Sequence, residues 1–173
     1  MNNKLIIQET NSELSSNSEL ARALFQKSNL GEKKDSKIIY SIYEALYLIQ
    51  TKKAELIKQN KNISFEELLK RYTKKDKRTE QKYRVFKDLK QRGYTLKAGL
   101  KFGADFRCYD KNKKPGTAHA KYLISIIEEK NKINPEEFCS KARIAHSTAK
   151  ILLLAIIDSE SDITYFEVNW KKP

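Results

Sequence analysis

Near Gly93 the spacing of apolar residues changes from three and four to two, so no single kind of element can satisfy both halves of the chain. Before that point, Ile38, Ile39, Ile42, Ala45, Leu46 and Ile49 recur at helical steps and predict a helix with one apolar face. Ser64 and Glu67 form a capping box, opening a helix with Phe65, Leu68, Leu69 and Tyr72 on its buried side. Asn17 or Ser18 can cap an earlier helix through Leu20, Ala23, Leu24 and Phe25, which is expected to stop near Gly31. A further helix from about Lys77 carries Tyr83, Phe86 and Leu89 and ends at Gly93. Residues 5–8 read as a short strand before an Asn/Ser-rich loop.

Beyond Gly93, Tyr94, Leu96, Ala98 and Leu100 alternate with polar residues, and residues 102–109 continue as strand. Residues 111–116 form a basic, turn-rich loop, and 122–127 a buried strand. Asn134-Pro135-Glu136-Glu137 starts a helix that runs to about Ser147, with a cap, a proline at the first position and acids near the positive dipole end. Residues 151–157 and 163–168 are two strands around the acidic turn 158–162. The fold class is α/β (α+β) in two small domains, 1–88 and 89–173, with the boundary between Asp88 and Gly93.

The net charge is +13, from 35 Lys and Arg against 22 Asp and Glu, which favours a polyanionic partner through phosphate neutralisation and counterion release. The competing explanation is that lysine-rich faces merely keep the chain soluble. Apolar runs such as 151–157 are too short to span a bilayer, and the amino-terminal stretch lacks the long apolar segment of a secretory signal. Cys108 and Cys139 have neither zinc-site spacing nor the density of a disulfide framework, so a reducing cytoplasm is expected.

Three residues stand in separate recognisable contexts: Tyr109 closing 101–109, His119 in Gly116-Thr117-Ala118-His119, and Lys150 just before Ile151-Leu152-Leu153-Leu154-Ala155. With Arg92-Gly93-Tyr94 through Phe106-Arg107, with Lys113-Lys114-Pro115-Gly116, and with Ala142-Arg143-Ile144-Ala145-His146-Ser147, they make the chain resemble the archaeal tRNA-splicing endonuclease family. The likeness covers most of the chain after about Ser36, in an unbroken order of motifs, including Glu44-Ala45-Leu46-Tyr47-Leu48. It departs at Ala118, where many relatives carry glycine, and around Lys150, where Ala149 and Ile151 replace additional basic residues.

The resemblance implies a mostly helical amino-terminal module with some strand. It implies a carboxy-terminal catalytic module of restriction-endonuclease-like type, a mixed sheet between helices. It further implies cleavage of pre-tRNA at bulge–helix–bulge intron boundaries, with neither metal nor cofactor. Tyr109 is then the general base. An ordinary phenol has a pKa of about 10, so such a base needs cations such as Arg107, Lys111 or Lys150 nearby. His119 is the general acid, because imidazole titrates near neutrality. Lys150 stabilises the pentacoordinate phosphorus. Apart from the resemblance, each has a bland reading: one of nine tyrosines at a sheet edge, an exposed histidine, a lysine at a helix end.

Arg143 and Trp170 are candidates to stack on bulged bases, and Lys101, Arg107, Lys113 and Lys114 to contact phosphates. His146 is a rival histidine, expected to cap or pack on its helix. Asp158, Glu160 and Asp162 are expected to dock on a neighbouring subunit of a homotetramer. Two other readings compete. Glu128-Glu129-Lys130, with Asp105 or Asp110, fits a weak pattern for a metal-dependent DNA nuclease. The chain can also be read as a non-catalytic, RNA-binding or structural subunit.

Overall fold

The computed structural model describes residues 4–171; residues 1–3 of the amino-terminal stretch and residues 172–173 of the second domain lie outside them. The chain forms two compact units, one ending at Tyr83 and the other beginning at Arg84. Each holds its own mixed sheet. Among the described residues no helix is long and apolar enough to cross a membrane.

The first unit contains a six-stranded sheet and three helices. Its strands are β1 (Leu5–Thr10), β2 (Glu13–Ser16), β3 (Glu32–Lys34), β4 (Lys37–Tyr40), β5 (Ala54–Lys58) and β6 (Lys61–Ile63). They lie in the order β3-β4-β2-β1-β5-β6, antiparallel except for the β1–β5 pair. The helices are α1 (Glu19–Ser28), α2 (Ile42–Gln50) and α3 (Phe65–Thr73). The mostly helical module implied by resemblance is therefore corrected: this unit is built on a sheet. Most of its strands are three to five residues long, too short for alternation to register as a period. Two of its hairpins turn on residue pairs with positive φ, Asn11-Ser12 and Gln59-Asn60, a two-residue turn matched to strand twist.

One further expectation changes. Ile38 and Ile39 belong to β4, and α2 begins only at Ile42, because Ser41 caps it. Ser41 Oγ accepts the Glu44 N–H at 3.3 Å while Glu44 Oε2 accepts the Ser41 N–H at 2.8 Å. The helix α1 ends, as expected, near Gly31: the left-handed Asn29 caps it, and the Gly31 N–H donates to the buried Glu44 carboxylate at 2.9 Å. Ser64 does cap α3, accepting the Glu67 N–H. Ile7, Leu46, Leu48, Leu56 and Leu68 are fully buried beneath this sheet and its helices, each contributing about 1.5–3 kcal/mol.

The second unit carries β7 (Thr95–Ala98), β8 (Phe106–Tyr109), β9 (Tyr122–Glu128), β10 (Ile151–Ile157) and β11 (Ile163–Val168), in that spatial order. A short 3₁₀ turn, Leu100–Phe102, interrupts the strand expected over 102–109. Among the described residues of this sheet the only parallel strand pair is β9–β10, joined through α5 (Pro135–Ser147), as a crossover requires. Asn134 caps α5, its Oδ1 accepting the Glu136 and Glu137 N–H groups. Leu123, Leu152 and Leu154 pack with Ala142 and Ala145 of α5 on one sheet face. Phe106, on the other face by alternation, meets Phe86 of α4 (Thr79–Gln91), ring centres 6.0 Å apart. The expected sheet between helices is present.

One buried charge cluster contributes to the acid stability of the first unit. Glu9 is buried on β1 and ion-paired with Arg71 and with Lys58, the latter at 3.1 Å. Burial raises the Glu9 carboxyl, but the hydrogen bonds and charges of Arg71 and Lys58 outweigh it and hold it below the usual carboxylate range. The pairing is therefore complete above the unfolded carboxylate pKa and is lost as pH falls through the lower folded value. We expect Glu9→Gln to cost about 2 kcal/mol near neutral pH. It should also flatten the loss of stability that urea unfolding shows as pH falls below the unfolded carboxylate pKa of about 4.3.

Candidate active site

The strand register gathers the candidate residues at one end of the second sheet. Cys108 of β8 pairs with Tyr122 of β9, and Tyr122 pairs with Ile151 of β10. The next backbone links continue the row: the Lys121 N–H donates to Cys108 O, and the Ile151 N–H to Lys121 O, both at 2.9 Å. Tyr109, Lys121 and Lys150 thus stand one residue beyond a single row. With strands about 4.8 Å apart, the Tyr109 and Lys150 backbones are separated by about 10 Å. His119 sits two residues before Lys121, on the loop that joins β8 to β9.

Tyr109 is 5% exposed, whereas His119 is exposed and Lys150 half-buried. Alternation puts Tyr109 on the same sheet face as Arg107, the face that α5 covers. Other tyrosines of this sheet are unsuited to proton abstraction. The Tyr165 hydroxyl is raised by burial and by donating to Asp88 Oδ2 at 2.7 Å. Tyr122 is raised by burial, opposed by Lys121, and its hydroxyl donates to Glu167 Oε1 at 2.7 Å. Burial pushes the Cys108 thiol up to about 12, with Asp110 adding to the shift and Lys121 opposing it, so it is an inert core group.

Lys150 is fixed by the way α5 ends. The Lys150 N–H donates to Ala145 O at 2.8 Å and the Ala149 N–H to His146 O at 3.0 Å, around a left-handed Ala149 at φ 54°. This is a Schellman ending, with Lys150 as its last residue. The Lys150 ammonium donates to Thr148 O at 2.7 Å and lies 5.0 Å from the centre of the Phe102 ring. Arg107 donates from Nε to Ala98 O at 2.9 Å, and its guanidinium lies 6.0 Å from the same ring. Neither cation is paired with a carboxylate among the described residues.

Sequence reasoning missed Phe102, which it read as a strand residue. The available signal is the flanking glycines. A Cβ on Gly99 would meet Ala104 O at 2.7 Å and Phe106 backbone atoms at 2.8–2.9 Å, and Gly103 sits at φ +64°. The two glycines fold the 3₁₀ turn back so that Phe102 packs on the core under α5.

The remaining candidates are dispersed. Lys101 is exposed on the 3₁₀ turn, Lys113 and Lys114 on the loop after β8, and Arg143 on α5. Trp170 is 42% exposed, and its ring centre lies 4.8 Å from that of the exposed His146. In the acidic turn, Asp158 Oδ1 accepts the Glu160 and Asp162 N–H groups, both at 2.9 Å, so Asp158 builds the loop that presents Glu160 and Asp162 to solvent. A cleft of about 360 Å³, lined by Arg84, Lys87, Arg92 and Asp162 among others, lies at this opposite end of the sheet. Among the described residues no three His, Cys, Asp or Glu side chains gather as metal ligands. Asp105 Oδ2 instead accepts the Ile126 N–H, and Glu128 pairs with Lys130.

Residues 79–165 match the tRNA intron endonuclease catalytic C-terminal domain, and residues 8–69 match the N-terminal domain of the same family. The chain belongs to the tRNA intron endonuclease family. It is an endoribonuclease, as the catalytic-domain match and its relatives indicate. The tRNA-splicing endonuclease of Methanothermobacter thermautotrophicus is 38% identical over 89% of this chain and 89% of its own. That of Pyrococcus abyssi is 35% identical over 86% and 85%. That of Nanoarchaeum equitans is 40% identical over 76% and 88%. Both family matches fall on the two sheets described above, so the likeness extends to each unit.

The left-handed Ala149 yields a stability prediction for the helix end that carries Lys150. Glycine takes this conformation without the Cβ penalty. Ala149→Gly should stabilise the chain by about 1 kcal/mol, read as a higher urea midpoint at unchanged slope.

Proposed function

We propose that this enzyme cleaves pre-tRNA at bulge–helix–bulge intron boundaries by attack of a 2′-hydroxyl on its own adjacent phosphate, and that it does so in the cytoplasm. The observation that carries the reading is the β8–β9–β10 register, which assembles Tyr109, the His119 loop and Lys150 at one end of one sheet. Tyr109 removes the 2′-hydroxyl proton as the 2′-oxygen bonds to phosphorus. The bond from phosphorus to the 5′-oxygen breaks, and His119 protonates that leaving oxygen. Lys150 balances the charge that builds on the phosphorane oxygens. The products carry a 2′,3′-cyclic phosphate and a 5′-hydroxyl. The nucleophile belongs to the RNA and protein groups move both protons, so the scheme assigns no role to a metal or cofactor. Tyr109 is buried, so the reading requires the loop over residues 110–121 to admit the ribose to its hydroxyl.

Substrate binding follows from charge and exposure. Arg143 and Trp170 are assigned to splayed bases, and Lys101, Arg107, Lys113 and Lys114 to backbone phosphates. The exposed Glu160 and Asp162, on a loop built by Asp158, are assigned to a neighbouring subunit of a homotetramer.

The test is incubation of the purified chain in EDTA with a bulge–helix–bulge RNA, followed by mapping of both product ends. Cyclic phosphate and 5′-hydroxyl ends are expected, with no cleavage when deoxyribose replaces the attacking ribose. His119→Ala should slow single-turnover cleavage by about 10²–10⁴-fold and Lys150→Met by about 10²–10³-fold. Cleavage only after magnesium is added would transfer the assignment to a metal nuclease. A folded chain that binds the RNA and cuts only with a second subunit would make it a non-catalytic partner. Reversing Glu160 and Asp162 together to lysine should lower the mass found by light scattering; an unchanged mass would remove the docking role.

A further inference from the structure

We propose that Phe102 is a positioning residue, whose ring holds the Lys150 ammonium and the Arg107 guanidinium together over the place where the scissile phosphate binds. The inference rests on the catalytic reading above and extends it to a side chain that does not touch the reacting atoms. Two cations within 6.0 Å of one ring centre repel each other, and neither has a carboxylate beside it among the described residues. Three things offset the repulsion. Thr148 O accepts from Lys150, Ala98 O accepts from Arg107, and each cation stands over the Phe102 ring, whose π-electron face attracts it. An arrangement that collects positive charge and anchors each charged group to a backbone carbonyl, with no counter-charge beside it, is matched to an incoming anion. A phosphate diester is the anion that an endoribonuclease supplies.

The ring itself is held by the fold. Phe102 packs on the α5-facing core, and the preceding turn is pinned by the Phe102 N–H to Gly99 O at 2.8 Å and the Gly103 N–H to Leu100 O at 3.0 Å. The same turn leaves Leu100 83% exposed, so core burial alone does not explain it. A purely structural Phe102 and a cation-holding Phe102 differ in what they require of the ring. The first needs its volume; the second needs its negative face.

Replacing Phe102 with mono-, di- and trifluorophenylalanine separates the two, because fluorine withdraws charge from the face with little change in size. Single-turnover cleavage at saturating RNA should fall stepwise along the series, about tenfold overall, with RNA affinity and thermal midpoint nearly constant. Phe102→Trp should retain the rate and Phe102→Leu lose it to a similar extent. A rate that stays flat along the fluorine series would overturn the proposal and leave Phe102 as core packing. A wild-type chain that fails to cut the RNA would remove the catalytic reading instead. The ring contact is then decided by lysine labelled at Cε: the Lys150 signal carries a ring-current shift that Phe102→Leu removes if the ring lies over the ammonium, and it does not move if the ring lies elsewhere.

Discussion

The parallel pairing of β9 with β10 is the constraint on which the catalytic unit depends. Parallel neighbours need a crossover, and here α5 supplies it, buried through Ala142 and Ala145 against Leu123, Leu152 and Leu154. Small residues on the helix and leucines on the sheet let the two approach closely. The register that results is not adjustable: a one-residue slip would turn Leu152 and Leu154 to the opposite face. Because Lys150 immediately precedes β10, the same register sets its height on the sheet. The antiparallel β8–β9 pair does the same for Tyr109.

Electrostatics then distinguishes the two units. In the first, a buried carboxylate, Glu9, is answered by two cations, and the cluster works for stability. In the second, Lys150 and Arg107 are answered by backbone carbonyls and an aromatic face, which position charge without neutralising it. The acidic turn is a third arrangement, in which Asp158 is spent on loop amides while Glu160 and Asp162 face solvent. Similar residue types thus do structural, positioning and presenting work according to what surrounds them.

The elements of the catalytic unit were legible where local signals were strong. Asn134-Pro135 started α5, the apolar runs at 122 and 151 were β9 and β10, and the acidic turn joined β10 to β11. The first unit was less legible. Ile38 and Ile39 fit the helical spacing of α2, yet they lie on β4, because the cap at Ser41 outweighs a periodicity that runs through it. Three- and four-residue strands such as β2 and β3 offer no period to read. Their existence depends on a neighbour several residues or tens of residues away.

By itself the sequence determined the residue types that the proposed chemistry uses, the helix caps, the glycines around the Phe102 turn and the basic charge balance. Those are local properties, set by side-chain chemistry and by the few conformations each residue can take. Tertiary structure alone decided that Tyr109, the His119 loop and Lys150 share one end of a sheet. It also decided that Tyr165 and Tyr122 are held as neutral phenols, and that Phe102 lies beside two cations. Each of these is a distance between residues far apart in the chain, and such distances exist only once strand register and helix packing have been chosen together.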